Sequence, residues 1–189
     1  DGNIHEIKSA PNLDKNIKHT LEAVVDRVPG LVGGGADLTG NTGTALKGAP
    51  VVARSALGGR QLFFGVREHG MGSVMVGMAE GGLLPFGGTF FVFSDYMRPA
   101  VRLAAMTGAR VCFVWTHDSV GVGEDGPTHQ PIEHLAALRA IPNMHVMRPA
   151  DTIETAECWQ LALDRASGPT VIALTRQNLP TVRGAGDDN

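Results

Sequence analysis

Residues 111–133, VCFVWTHDSVGVGEDGPTHQPIE, pass from an apolar run into a loop that is rich in glycine and histidine. The apolar residues 111–115 predict a buried strand, and the apolar spacing that begins at Ile132 predicts a helix. The loop between them therefore lies at the carboxyl end of a strand, where open α/β sheets bind their ligands. Its histidines, acidic residues and glycines interleave more than a turn requires, so we expect a functional loop rather than a solvated surface loop.

The rest of the chain alternates segments of helical and of strand character. Apolar periodicity predicts helices over residues 13–28, 71–79, 94–107, 132–141 and 152–166. Short apolar runs predict strands over residues 31–35, 61–66, 83–89, 111–116, 144–147 and 169–174. Residues 40–59 have no clear period and predict a long loop. Such alternation predicts an α/β fold, a three-layer α/β/α sandwich with a mostly parallel sheet.

Composition narrows the class of protein. A chain of 189 residues suits one domain, and its net charge of −3 gives no reason to expect nucleic acid or an anionic membrane as a partner. No apolar run has transmembrane length, and we identify no signal peptide. Cys112 and Cys158 lie far apart in apolar segments, so we expect buried, reduced thiols, a cytoplasmic protein and no cysteine metal site.

Four motifs, in order and at the expected spacing, resemble the pyrimidine-binding domain of the transketolase family. They are GADLTG at residues 35–40, FGVREHGM at residues 64–71, the loop at residues 117–133, and TRQNLP at residues 175–180. The resemblance implies the pyrimidine module of the thiamine diphosphate-binding fold over residues 12–183. Residues 1–11 would then be an N-terminal lead and residues 184–189 a polar tail.

The resemblance implies a cofactor-binding role for two acidic residues. Glu68 would be the catalytic carboxylate that hydrogen-bonds the aminopyrimidine ring of thiamine diphosphate, and Asp37 would lie near the cofactor at a dimer interface. Without the resemblance, the favoured interpretation of Glu68 is an acidic residue in the first turn of a helix, where the helix dipole stabilises it.

A cluster of aromatic residues follows the third predicted strand. Phe90, Phe93 and Tyr96 recur every three residues, so their rings could share one face of a helical turn. The resemblance implies that these three rings form the pocket for the aminopyrimidine. The alternative is core packing, which we expect for Phe86 and Phe91.

The resemblance also implies a set of substrate-binding residues. His117 would bind the donor substrate and its phosphate end, whereas Asp125 and His129 would contact sugar hydroxyl and carbonyl groups. Both histidines would be catalytic, because imidazole can shuttle protons near neutral pH. Arg176 would hold the sugar phosphate through its guanidinium, although a solvated arginine would explain it as well.

Two positions depart from the family pattern. Asp14, with Lys15 beside it, stands where the family has a phosphate-binding arginine, and Asn41 stands where it has a serine. We also find no second motif for the diphosphate and its metal ion. Thiamine diphosphate would thus be shared with a diphosphate-binding domain or subunit, which would hold Mg²⁺ or Ca²⁺, and this chain would bind no metal.

These inferences predict the pyrimidine-binding half of a transketolase-like enzyme. It would transfer a two-carbon ketol unit between sugar phosphates, act only with its diphosphate-binding partner, and form a homo- or hetero-oligomer. Two alternatives remain open. One is a related enzyme, such as deoxyxylulose-phosphate or dihydroxyacetone synthase; the other is a non-catalytic domain that regulates or binds a partner.

Overall fold

The computed structural model describes residues 13–183, which form one sheet flanked by helices. The strands are β1 (Leu31–Gly35), β2 (Gln61–Phe63), β3 (Leu84–Phe90), β4 (Cys112–Thr116), β5 (His145–Met147) and β6 (Thr170–Ala173). The helices are α1 (Leu13–Val24), α2 (Glu68–Glu80), α3 (Ser94–Thr107), α4 (His134–Arg139) and α5 (Thr152–Asp164). The predicted lead and tail, residues 1–11 and 184–189, lie outside the described residues.

The six strands form a single sheet in the order β2-β1-β3-β4-β6-β5. Every strand pair within residues 13–183 is parallel. All carboxyl ends therefore meet at the same edge of the sheet, and the predicted parallel α/β architecture is confirmed. None of the helices in this part of the chain is both long enough and apolar enough to span a bilayer.

Each face of the sheet carries its own hydrophobic core. In β4, Phe113 and Trp115 point into the core under α2 and α3, whereas Cys112 and Val114 point into the core that α1 and α5 cover. This alternation is the two-residue period of a strand that is buried on both sides. The predicted three layers are confirmed, and Phe86 and Phe91 are buried as expected.

Several predicted boundaries were wrong by a few residues. The helix predicted over residues 13–28 ends at Val24 and continues as turns, and the helix predicted over 132–141 contracts to His134–Arg139. The strand predicted over 61–66 ends at Phe63, because Gly65 has φ +65°, which no strand residue adopts. Hydrophobic spacing places an element but does not encode where its hydrogen bonds stop.

The long loop over residues 40–59 is confirmed as irregular, apart from two isolated bridges. Gln61, the first residue of β2, connects this loop to the sheet. Its side chain accepts a hydrogen bond from the Leu46 amide at 2.6 Å and donates one to the Gly33 carbonyl at 3.3 Å. Thr42 and Thr44 are buried against Gly88 of β3, where a Cβ atom would lie 2.5 Å from the Thr42 Oγ1. The loop thus packs closely over the carboxyl end of the central strands.

Candidate functional site

The predicted site residues share one place in the fold, the carboxyl edge of the sheet. They are Asp37 after β1, Glu68 after β2, Phe90 at the end of β3, His117 after β4 and Arg176 after β6. Phe90 lies directly opposite Thr116 in the pairing of β3 with β4. The parallel topology therefore gathers residues that are far apart in the sequence along one edge.

Four of the aromatic and imidazole rings form a contiguous cluster at this edge. The ring of His117 stacks on that of Phe90, with centroids 3.7 Å apart and an interplanar angle of 24°. Phe93 lies 5.9 Å from Phe90, and His129 meets the edge of Phe93 at 5.4 Å. Tyr96, at 6.0 Å from Phe93, extends the cluster towards solvent and is 67% exposed. The predicted common face of Phe90, Phe93 and Tyr96 is present, although it spans a strand end, a 3₁₀ turn and α3.

His117 has an unusual backbone and a buried side chain. Its φ of +61° is in the left-handed region, which few residues other than glycine and asparagine adopt readily. Burial lowers the pKa of its imidazole from 6.5 to about 4, and the nearby Arg176 and His129 add to this decrease, while Asp125 and Asp118 oppose it. The ring is therefore neutral at neutral pH, when it is a hydrogen-bonding group and not a cation.

This lowered pKa makes the folded chain less stable in acid. Below pH 6.5 the unfolded chain binds a proton that the folded chain takes up only near pH 4, so stability falls as the pH decreases through this window. Between about pH 7 and pH 4.5, the free energy of unfolding should fall by about 2 kcal/mol more in the wild type than in His117→Asn. Asparagine tolerates the left-handed backbone and does not titrate.

Urea unfolding of both proteins at a series of pH values measures this difference. His69→Asn, at an exposed position of α2, serves as the matched histidine substitution. Parallel stability curves for the wild type and His117→Asn would show that His117 is not buried in its neutral form.

The loop that follows His117 is anchored at its base and exposed at its tip. Asp118, whose side chain is 1% exposed, accepts a hydrogen bond from Arg148 at 2.5 Å. Val122 is buried, and Gly123 and Gly126 adopt φ values of +76° and +78°. These positions turn the chain through two 3₁₀ segments, Val120–Asp125 and Pro127–His129, which the sequence analysis did not predict. The loop therefore presents a fixed, exposed surface that includes Asp125.

An open cleft of about 480 Å³ lies beside His117. It is lined by Lys15, Gly40, Asn41, His117, Arg176, Gln177 and Asn178. Two cations, an imidazole and three amide side chains suit an anionic ligand that also carries hydroxyl groups. Arg176 reaches across to Glu124 of the loop at 3.4 Å.

Sequence analysis identified only part of this cleft. It treated Lys15 as the neighbour of Asp14 and assigned no function to Gln177 or Asn178, although both amides lie in the TRQNLP motif. Asn41, noted as a departure from the family, lines the cleft. The side chain of Asp14 lies outside the described part of the chain.

Glu68 and Asp37 follow β2 and β1 at the same edge of the sheet. Glu68 is the first residue of α2 and is 8% exposed, yet no residue between 13 and 183 hydrogen-bonds its carboxylate. The adjacent Arg67 donates to the Phe64 carbonyl instead. Asp37 is exposed in a turn with φ +65°. The described residues thus leave the Glu68 carboxylate available to a group from outside the chain.

A further buried histidine, His134, has a structural environment. The Nε2 atom of His134 is hydrogen-bonded to the carboxylate of Asp95 at 3.1 Å. The centroid of its ring lies 5.6 Å from that of Phe91. Ligand-capable atoms of Asp95, Glu133 and His134 lie within 4.8 Å of one another, but both carboxylates are at least half exposed. His134 therefore joins the start of α3 to the start of α4.

Comparison with known proteins identifies the family of this chain. The sequence matches the family model for the transketolase pyrimidine-binding domain over residues 9–182. The chain belongs to the transketolase family. It is similar to transketolase from Cereibacter sphaeroides, with 57% identity over 164 residues, which are 86% of this chain and 25% of that protein. Transketolase from Geobacillus stearothermophilus is 54% identical over 168 residues, covering 88% of this chain and 25% of the other.

Solved transketolase structures share the fold. A Pichia stipitis transketolase in complex with sedoheptulose-7-phosphate superposes with a TM-score of 0.89 at 41% identity, over 96% of this chain and 29% of that one. A split-gene transketolase, described as an inactive beta4 tetramer, gives 0.74 at 28% identity, over 92% of this chain and 54% of that one. The chain therefore spans about a quarter of the length of the curated transketolases it matches. Family membership implies thiamine diphosphate and a divalent metal ion as cofactors.

Proposed function

We propose that this chain supplies the pyrimidine-binding part of a transketolase, an enzyme that transfers a two-carbon ketol unit between sugar phosphates. The observation that carries this proposal is the buried Glu68 carboxylate, which no described residue hydrogen-bonds. It lies at the same sheet edge as the exposed end of an aromatic cluster. Because no residue between 13 and 183 hydrogen-bonds it, this carboxylate can accept a hydrogen bond from a ligand.

The residues present fit the aminopyrimidine part of thiamine diphosphate. This cofactor supplies the carbon nucleophile for cleavage next to a carbonyl group. Glu68 would hydrogen-bond the aminopyrimidine ring, and Phe90, Phe93 and Tyr96 would give it apolar faces to stack on. Asp37, at the same edge, would contribute to cofactor binding as well.

The cleft would bind the sugar phosphate. His117 would bind the donor substrate and its phosphate end, whereas Asp125 and His129 would contact hydroxyl and carbonyl groups. Both histidines would be catalytic residues. Arg176 would bind the phosphate through its guanidinium. Lys15 would supply a second positive charge from α1, in place of the arginine that the family carries at the position of Asp14.

Removing either cation should weaken binding of phosphorylated substrates selectively. A charge-assisted hydrogen bond contributes about 1.5–3 kcal/mol, so Arg176→Ala should raise KM for a ketose phosphate about ten- to a hundredfold. Lys15→Ala should have a smaller effect, because an exposed ammonium group is a flexible point charge. KM for a ketose without phosphate should not change.

Steady-state assays of the assembled enzyme with both kinds of ketose test this expectation. Lys18→Ala, exposed further along α1, is the matched control for Lys15→Ala. Equal losses for phosphorylated and non-phosphorylated ketoses would place the phosphate elsewhere.

A diphosphate-binding domain or subunit would complete the active site. It would hold the diphosphate and Mg²⁺ or Ca²⁺, and this chain would contribute residues 12–183 as one domain. The split-gene neighbour, a tetramer, supports assembly of such parts into an oligomer. The free cysteines, Cys112 and Cys158, support a cytoplasmic location.

A chimaera tests the proposal. Residues 13–183 would replace the matching quarter of the Cereibacter sphaeroides transketolase, and ketol transfer from a ketose phosphate to an aldose phosphate would be measured. We expect activity within about tenfold of the parent, because the proposed site residues are all present. A folded chimaera that binds thiamine diphosphate but transfers nothing would support the non-catalytic alternative.

The same assay separates the related enzymes. Pyruvate in place of the ketose would serve as donor for a deoxyxylulose-phosphate synthase, and formaldehyde would serve as acceptor for a dihydroxyacetone synthase. Each of the relatives described above is named transketolase, which favours ketol transfer between sugars.

A further inference from the structure

Both histidines of the loop make the same local hydrogen bond. The Nδ1 atom of His117 lies 2.9 Å from the hydroxyl of Thr116, and the Nδ1 atom of His129 lies 2.9 Å from the hydroxyl of Thr128. In each pair the threonine directly precedes the histidine. The two pairs differ in environment, because Thr116 is fully buried and Thr128 is exposed.

The burial of Thr116 fixes the direction of its hydrogen bond. A buried hydroxyl proton needs an acceptor, and within residues 13–183 the sole partner of the Thr116 hydroxyl is the His117 Nδ1 atom. The hydroxyl therefore donates and Nδ1 accepts. A neutral imidazole that accepts at Nδ1 carries its proton on Nε2.

The sheet holds the two groups in this geometry. Thr116 is the last residue of β4 and pairs with Phe90, on whose ring His117 stacks at 3.7 Å. Nδ1 is occupied by Thr116, which leaves Nε2 as the ring nitrogen available to a ligand in the cleft that His117 lines. His117 combines a left-handed backbone, with φ +61°, and a ring stacked on Phe90.

We propose that Thr116 is a positioning residue that fixes His117 as the Nε2–H tautomer and thereby presents a neutral hydrogen-bond donor to the cleft. A ligand must then offer an oxygen acceptor to Nε2. His117 in this state cannot remove a proton from substrate, because its one free lone pair is occupied by Thr116. The geometric part of this inference does not depend on the proposed function; the catalytic consequence does.

The Thr128–His129 pair is a natural comparison. The exposed hydroxyl of Thr128 can donate to water, so its proton has an alternative acceptor and the tautomer of His129 is not fixed. The hydrogen bond from Thr128 therefore does not determine which ring nitrogen of His129 carries the proton. Although a threonine precedes each histidine, only the buried threonine fixes the tautomer of the ring that follows it.

Long-range ¹H–¹⁵N spectra of the histidine rings in the full 189-residue chain test the proposal. In the wild type, His117 should show a protonated Nε2 and an unprotonated Nδ1 that is shielded by its hydrogen bond. Thr116→Val removes the hydroxyl and keeps the shape, so the Nδ1 resonance should move downfield or the proton should transfer to Nδ1. Thr116→Ser should restore the wild-type pattern, and Thr128→Val should leave His117 unchanged.

Two results would overturn the inference. One is a wild-type spectrum with the proton of His117 on Nδ1, which needs no variant. The other is a His117 spectrum that is the same in Thr116→Val and in the wild type. A thermal melt shows whether Thr116→Val is folded. If it is not, Thr116→Ala replaces it as the variant without a hydroxyl and is compared with Thr116→Ser.

Discussion

Glu68→Gln in the assembled enzyme should slow the exchange of the thiazolium proton of thiamine diphosphate for deuterium by about thirty- to a thousandfold. Glutamine keeps the size and reach of glutamate, but it cannot stabilise a positive charge on the aminopyrimidine as a carboxylate does. Losing one preorganised interaction of this kind in a water-excluded site costs about 2–4 kcal/mol. Each 1.36 kcal/mol corresponds to a tenfold change in rate.

Folding should survive this change. Glu68 begins α2 and its carboxylate makes no hydrogen bond with residues 13–183, so the substitution leaves no group of these residues without its partner. A thermal melt and a deuterium-exchange time course should therefore separate stability from activation. Glu80→Gln, at the exposed end of the same helix, is the matched control and should leave exchange unchanged. Exchange at the wild-type rate with cofactor bound to Glu68→Gln would show that another group activates the cofactor.

The fold was predictable because its signals are local. Strand β4 alternates side chains between two cores, and its apolar run has the composition and length of a doubly covered strand. The helix over Ser94–Thr107 was predicted at both ends from its apolar spacing. In the structure Gly108, with φ +74°, ends this helix in a left-handed cap. The apolar pattern of the strands and helices was therefore sufficient to predict the architecture.

The site was predictable only in its positions along the chain. The stacking of His117 on Phe90 depends on the register of β3 with β4, which brings Phe90 opposite Thr116. Lys15 enters the cleft because α1 packs across α5 on one face of the sheet, a tertiary arrangement that helical spacing does not specify. Local sequence patterns do not determine the register between strands or the position of a helix on the sheet.

The loop conformation also escaped prediction. Residues 120–129 fold as two short 3₁₀ segments. Segments of this length show no apolar periodicity from which they could be predicted. The positive φ of His117 could not be expected either, because few residues other than glycine adopt it and no local pattern marks the position. Its burial at that point lowers the pKa of the ring, which the sequence analysis had treated as an ordinary proton shuttle.

The 189-residue chain alone should have no measurable ketol transferase activity, even with thiamine diphosphate and Mg²⁺. The two cations of the cleft lie beside His117, where the proposed substrate phosphate binds. Among residues 13–183, the one group with three clustered metal-ligand atoms joins α3 to α4 and includes two exposed carboxylates. A diphosphate bound to Mg²⁺ therefore has no evident anchor in this part of the chain, and the cofactor would be held by its pyrimidine end alone.

The assay couples release of the aldose phosphate to a spectrophotometric signal, with the pure chain at high concentration. Adding the diphosphate-binding region of the Cereibacter sphaeroides transketolase should generate activity, and the same mixture with Glu68→Gln should remain inactive. The second mixture distinguishes a reconstituted site from contaminating enzyme. Turnover by the chain alone that co-elutes with it and disappears in Glu68→Gln would contradict the division of the cofactor between two parts, because Glu68 would then act without a partner.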